Sequence, residues 1–257
     1  MSILRSLASA FLMYSKIPVP RVEWKEENRR YALCFFPLIG AVIGVLLTAW
    51  YWFCRMNAVG DTLRGAVSVL LPVLVTGGIH IDGFCDTTDA IASYADRQKR
   101  LEIMKDPHIG PFAVIGLCSV LLLQFGLYCE IKSCAGIVIA ALGYILSRAL
   151  SGLAAVTLRS AKSDGALQNF VRPADKKITV CSLSVMILIC AAAMLSMSIA
   201  EGIAVCAAAL ICSVIYRIFA YRNFGGITGD TEGWFLQVTE TAIPAAVLVS
   251  EVILSWL

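Results

Sequence analysis

Charge is what this sequence has too little of. Of its 257 residues only 15% are Asp, Glu, Lys or Arg, where a soluble domain carries roughly a quarter. The shortfall excludes a water-solvated surface over most of the chain. Hydrophobic residues make up 59% and mean hydropathy is +0.79. At about 20 apolar residues per crossing, this length holds about six to eight membrane-spanning helices with short loops and no sizeable soluble domain. An excess of basic charge is also missing. A net charge of +3 is too small for nucleic-acid binding, and the Lys and Arg sit in separate inter-helix segments. The ten Cys include no C-x-x-C pair. Cys34, Cys118, Cys129, Cys181, Cys190, Cys206 and Cys212 lie in or beside apolar runs and read as small buried hydrophobes, neither disulfide staples nor metal ligands. Internal repeats and low-complexity tracts are absent. The first fifteen residues lack a long apolar core ending in a cleavage site, so no removable signal peptide is expected.

What is present is a series of apolar runs. Residues 31–53 are uncharged, open with Tyr31 and close with Tyr51, Trp52 and Phe53, as a spanning helix with an aromatic end does. Further runs at 65–81, 111–129, 134–158, 178–200, 202–221 and 241–257 bring the expected number of spans to about seven. The second and last are short enough to be tilted, broken or re-entrant. Residues 3–15 fit a short interfacial helix ended by Pro18 and Pro20. The expected architecture is therefore an all-α, polytopic membrane bundle forming one domain. Of the 21 Lys and Arg, all but Arg55, Arg64, Lys132 and the intramembrane Arg148 fall in alternate segments on the N-terminal side of the bilayer. The positive-inside bias therefore predicts a cytoplasmic N-terminus.

Three carboxylates stand out in TGGIHIDGFCDTTDAIASYAD, Thr76 to Asp96. On a helix, Asp82, Asp86 and Asp89 at i, i+4 and i+7 share about 60° of arc. Like charges so grouped at a membrane edge are costly unless a cation is bound, and hard oxygen donors suit Mg²⁺ or Mn²⁺ better than zinc. The plainer reading is a solvated acidic face. Gly83, Thr87 and Thr88 weaken the helix expectation, and His80 fits a hydrogen-bonded neighbour as well as a ligand.

A second constellation, FGGITGDTEGWFLQVTE from Phe224 to Glu240, precedes the last run on the same predicted side. Gly225, Gly226, Gly229 and Gly233 surround Asp230. Such glycines let backbone approach a phosphate and expose N–H donors, while Asp230 completes a metal shell supplied by another helix. A plain turn between helices is the competing reading. Between the two lies LEIMKDPHIGPFAV, with Lys105, Asp106 and His108 in a polar stretch before Pro111. Arg148 sits about ten residues inside the fourth run. An unpaired guanidinium there is expensive, so it faces either a structural carboxylate or a substrate phosphate.

Taken in order, GGIHIDGFCDTTDA (Gly77 to Ala90), LEIMKDPHIGPF (Leu101 to Phe112) and GGITGDTEG (Gly225 to Gly233) resemble the cobalamin synthase family. KIPVP (Lys16 to Pro20) and FFPLIGAVIG (Phe35 to Gly44) add a weaker match, and the resemblance covers residues 11–240. Ala90 departs from the Gly usual after the third Asp, and Trp234 from a small residue. Neither removes a carboxylate.

The resemblance implies a multi-pass enzyme of the cytoplasmic (inner) membrane whose active site faces the cytoplasm. It implies that a hydroxyl of α-ribazole, or of α-ribazole 5′-phosphate, attacks the cobinamide-linked phosphorus of adenosylcobinamide-GDP and expels GMP, with Mg²⁺ required. Phosphoryl transfer of this kind needs cations on the diphosphate and a positioned base more than covalent help. Asp82, Asp86, Asp89 and Asp230 are then the expected metal ligands, one of them also taking the hydroxyl proton. Lys105 and Arg148 are expected to neutralise diphosphate charge. Gly225, Gly226, Thr228, His80, Asp106 and His108 are expected at the substrate. The other expected partner is the lipid bilayer, and a homo-oligomer is compatible with all of this. The acidic pattern has the chemistry of CDP-alcohol phosphotransferases, but their D-x-x-D-G-x-x-A-R signature is absent. A cation-coupled transporter is the alternative of another class. Its carboxylates would lie near the bilayer midplane, whereas these sit in segments that end at the predicted cytoplasmic surface.

Overall fold

The computed structural model describes residues 2–162 and 164–256. Twelve α-helices run through these: α1 (Ser2–Tyr14), α2 (Glu26–Arg29), α3 (Phe36–Met56), α4 (Asp61–Thr76), α5 (Ile79–Ala92), α6 (Arg97–Ile103), α7 (Pro111–Glu130), α8 (Cys134–Thr157), α9 (Ala166–Val171), α10 (Lys176–Met197), α11 (Ile199–Phe224) and α12 (Gly229–Ser255). Six of them are long and apolar enough to cross a membrane. A seventh crossing is obtained if α4 and α5 are taken as one broken span, bent by 96°. The molecule is thus an all-α, multi-pass membrane bundle, as its hydropathy predicts.

The break has a local cause. Gly77 and Gly78 follow one another at φ +67° and +80°, a left-handed pair that side chains with a Cβ resist. The helix that begins at Asp61 therefore stops at Thr76, and α5 leaves in a new direction with the acidic face on it. Lys16 secures the corner: its N–H donates to Val75 O at 2.8 Å, and its aliphatic stem lies against Gly77.

Helix α8 is the centre of the bundle and packs on α3, α10, α11 and α12. Ile39, Ile43 and Leu47 of α3 meet Ile137, Ala141 and Tyr144 of α8 and Ile243 and Val247 of α12 in the main core. The outer helices turn Ile115, Leu122 and Leu123 (α7), Leu188 and Ile189 (α10) and Leu210, Ile211 and Val214 (α11) outward. Such an apolar exterior is what a bilayer, and not water, solvates. Cys118 and Cys181 sit on this exterior and are exposed, contrary to the expectation that they are buried. In a membrane bundle a place in an apolar run does not mean a place in the protein core. All ten Cys are free thiols.

The two classes of basic residue separated by counting are also separated in space. At one end Arg29 donates to Asn169 O at 2.8 Å, Arg100 to Asn223 Oδ1 at 2.6 Å and Arg159 to Gly225 O at 2.8 Å, while Arg30 pairs with Asp175 at 3.0 Å. At the other end Arg64 donates to the carbonyls of Tyr128, Cys129 and Ile131 where α7 ends, and Lys132 pairs with Asp61 at 2.5 Å. Cations at a helix C-terminus satisfy its last carbonyls.

The last span starts earlier than expected. Thr228 caps α12, so the helix begins at Gly229, and residues 229–240, expected as a turn and its approach, are its first three turns. The polar residues of that stretch hide the helix from hydropathy.

Candidate active site

Asp82, Asp86 and Asp89 do lie on one helix, α5. Its partner is α12, and the two cross at glycines. A Cβ on Gly83 would stand 2.8 Å from Asp230 Cα, and one on Gly233 would stand 2.7 Å from His80 O. Without side chains at the crossing the backbones touch, and Asp230 is delivered to the acidic face across 147 residues of sequence. The charges of Asp82, Asp230 and Asp89 all act on Asp86. Asp82 is exposed, and Asp86 and Asp230 are half-buried. Among the described residues no Lys, Arg or His forms an ion pair with any of these three. Lys162, in the loop after α8, is the basic group whose charge reaches Asp230.

Asp89 has a different setting. Its carboxylate accepts from Gly110 N at 2.6 Å and from Ala113 N at 2.8 Å, satisfying N–H groups at the start of α7 that have no partner within the helix. Gly110 is needed for this approach, because a Cβ there would meet the Asp89 oxygens at 2.6 Å. Asp89 thus anchors the loop that carries Lys105, Asp106 and His108. All three side chains of that loop are exposed. Asp106 Oδ1 accepts from His108 N at 3.0 Å and lies 2.7 Å from His108 Nδ1. The backbone donor first, and then the ring, hold the Asp106 carboxyl below its ordinary range.

The glycine-rich segment is held rigidly. Gly225 N donates to Tyr221 O at 3.2 Å, Gly226 N to Ala220 O at 3.3 Å and Ile227 N to Arg159 O at 2.9 Å. Thr228 N donates to Thr231 Oγ1 at 2.8 Å, and Thr228 Oγ1 accepts from Thr231 N at 3.1 Å, a reciprocal cap. The expectation that Gly225 and Gly226 offer free N–H donors to a phosphate is therefore not met. Those donors close the chain back on α11, and Ile227 N forms the Ser160–Ile227 bridge, because the turn must be tight to aim α12 at α5. Gly225, Gly226 and Thr228 are buried, and Gly229 is the exposed glycine of the turn.

Arg148 is fully buried and pairs with Glu240 at 2.6 Å; Ser147 donates to the same Glu240 oxygen at 3.1 Å. Of its two expected settings, the structural carboxylate is the one found. Phe36 lies beside both the pair and His80: the Arg148 guanidinium carbon is 5.9 Å from its ring centroid, and the His80 ring centroid is 5.9 Å away.

The sequence profile of the family described as cobalamin-5-phosphate synthase matches residues 6–248, nearly the whole chain. This chain belongs to the cobalamin-5-phosphate synthase family. An adenosylcobinamide-GDP ribazoletransferase of Lachnoclostridium phytofermentans is 44% identical over 248 residues, covering 96% of this chain and 95% of the relative. Proteins of the same name from Treponema denticola (34% identical, 91% and 94% covered) and Pseudomonas syringae pv. syringae (34% identical, 92% and 95% covered) are also similar. No solved structure matches the chain.

In this family member the crossing of α5 and α12 also borders a cavity of about 140 Å³, which brings Glu232 and Ser151, neither of them expected at the site, together with the expected His80. Glu232, on the first turn of α12 beside Asp230, is 6% exposed and accepts from Ser151 Oγ at 2.5 Å. His80 is 5% exposed, with its ring 6.3 Å from that of Tyr14. Asp82 and Asp230 line the same cavity. Glu232 was overlooked as part of a turn. Ser151, on a run of small residues in α8, carries no local signal at all.

Proposed function

We propose that this chain joins adenosylcobinamide-GDP to α-ribazole, or to α-ribazole 5′-phosphate, with release of GMP, a late step of cobalamin synthesis. The observation that carries the reading is the Gly83–Asp230 contact, which sets Asp230 beside Asp82 and Asp86, where among the described residues no Lys, Arg or His pairs with them. The family and its relatives' printed names supply the substrates.

The donor set fits Mg²⁺. Asp82, Asp86 and Asp230 offer hard oxygens, and among the described residues none of them is in an ion pair and no three acidic, His or Cys side chains form a ready-made metal cage. Mg²⁺ characteristically takes one or two carboxylates and completes its shell with water and substrate phosphate. When bound, it would neutralise charge on the diphosphate.

The protein's own residues do the rest. One or two of Asp82, Asp86 and Asp230 would hold the cation directly and the rest through its water, and Asp89 keeps the Lys105 loop against the site through Gly110 and Ala113. Lys162 and Lys105 face the diphosphate charge from the loops after α8 and α6. The acceptor hydroxyl oxygen bonds to the cobinamide-linked phosphorus, the bond from that phosphorus to the bridging oxygen breaks, and GMP leaves with that oxygen. The hydroxyl proton passes to a carboxylate of α5. Because the loops rich in Arg and Lys lie at the acidic end of the bundle, this end faces the cytoplasm of a cell whose inner membrane holds the protein, and soluble substrates reach it there.

The test is to incubate purified protein with adenosylcobinamide-GDP, α-ribazole and Mg²⁺ and measure GMP. Release that needs both substrates is expected. No GMP from folded protein would reject the reading.

A further inference from the structure

Two buried side chains that line the cavity bounded by α1, α5, α8 and α12, His80 and Glu232, each carry a polar atom without a close partner. Among the described residues His80 Nε2 and Glu232 Oε1 are buried without a partner. Buried polar atoms are almost always satisfied, and leaving one unmade costs about 1–3 kcal/mol. Ser151 donates to Glu232 Oε2 at 2.5 Å, and the Tyr216 hydroxyl, 3.2 Å from Thr231 Oγ1, is also near enough to act on the Glu232 carboxyl. Both side chains line one cavity, together with Tyr14, Phe36 and Leu236.

We propose that this cavity is the acceptor subsite, and that it takes a neutral, hydroxyl-bearing ring, the ribose of the acceptor nucleoside. The assignment rests on the function proposed above. Size is the first argument. A cavity of about 150 Å³ holds benzene, so about 140 Å³ holds one five- or six-membered ring and excludes a corrin. Charge is the second. Asp82, Asp230 and Glu232 line the cavity, and among the described residues no Lys or Arg does, so a phosphate is repelled from its interior while a sugar is not. Chemistry is the third: Glu232 and His80 are buried polar side chains of the lining that ring hydroxyls can pair with, and the apolar ring edge rests on Phe36 and Leu236. The outer edge of the cavity is formed by Asp82 and Asp230, so a ribose seated here keeps another hydroxyl at the proposed metal site. A 5′-phosphate, where present, stays outside.

The test compares wild-type protein with Glu232→Gln, Ser151→Ala and Ala155→Leu, the last placing a larger side chain at a cavity-lining position. KM is measured separately for α-ribazole and for adenosylcobinamide-GDP, and α-ribazole binding without donor is followed by calorimetry in nanodiscs. Expected is a rise of about tenfold or more in KM and Kd for α-ribazole, with the donor KM within about twofold. A ribazole analogue lacking one ribose hydroxyl should bind wild type about tenfold more weakly but lose less on Glu232→Gln, since the shared bond is already absent. Should Glu232→Gln fail to fold, Ser151→Ala and Ala155→Leu carry the same comparison. If wild type releases GMP but the variants raise only the donor KM, or lower kcat with both KM values unchanged, the subsite is wrong and the activity stands. If wild type binds α-ribazole, loses it in the variants, and yet releases no GMP, the subsite stands and the activity is wrong. Wild-type protein that neither binds α-ribazole nor releases GMP overturns both.

Discussion

Gly83 and Asp230 touch through their backbones: a Cβ on Gly83 would lie 2.8 Å from both Cα and O of Asp230. The contact converts two separate acidic features into one site, and its geometry leads to the first prediction. Gly83→Val forces α5 from α12. A displacement of about 1 Å at a site of this kind costs about 100-fold in rate, and overpacking costs about 1–3 kcal/mol of stability. GMP release should fall by about 100-fold while circular dichroism keeps its helical signal. Normal turnover in folded Gly83→Val would show that the crossing does not set the chemistry.

The carboxylates should separate by role. Asp82→Asn, Asp86→Asn and Asp230→Asn are each expected to lower turnover by about 100-fold or more through lost charge neutralisation and positioning. EDTA should abolish turnover and Mg²⁺ restore it. Two of the three variants with full activity would dissolve the shared site.

Asp89→Asn should act differently, because both carboxylate oxygens accept from the start of α7. An amide can accept through one oxygen only, and its NH₂ faces an N–H donor. Hydrogen exchange over residues 104–114 should quicken together with the loss of activity. Unchanged protection there would return Asp89 to the role of a plain metal ligand.

The Arg148–Glu240 pair gives a prediction about stability. Arg148→Met or Glu240→Leu alone strands a buried charge and should cost about 3–5 kcal/mol, and the double variant should regain most of it. Unfolding in mixed micelles measures this. A Arg148→Met protein of normal stability whose donor KM alone rises would instead place the guanidinium on substrate.

Topology is checked by labelling. Cys54 and Cys85 are buried and serve poorly as probes, but Asn57 and Tyr94 are exposed at opposite ends of the bundle. With a membrane-impermeant thiol reagent, Asn57→Cys should label on intact cells and Tyr94→Cys on inverted vesicles. The reverse pattern would turn the active site outward.

The sequence alone determined most of the spans and the acidic helix face, because hydropathy and helical period are properties of neighbouring residues, but the polar start of α12 (Gly229–Ser255) escaped it. Residues 111–129 became α7 (Pro111–Glu130) and 134–158 became α8 (Cys134–Thr157) nearly to the residue, and Asp82, Asp86 and Asp89 kept their i, i+4, i+7 spacing on α5. The short second run was expected as tilted, broken or re-entrant, and Gly77–Gly78 breaks it. Only the tertiary structure decided partners. That Asp230 meets α5, that Arg148 finds Glu240 across 92 positions, and that Ser151 fixes one oxygen of Glu232 while the other stays unpaired all depend on which helices pack and at what rotation. In a bilayer most helix faces are equally apolar, so hydropathy cannot choose among neighbours. The choice falls to close-packing glycines and buried polar pairs, whose partners lie far along the chain.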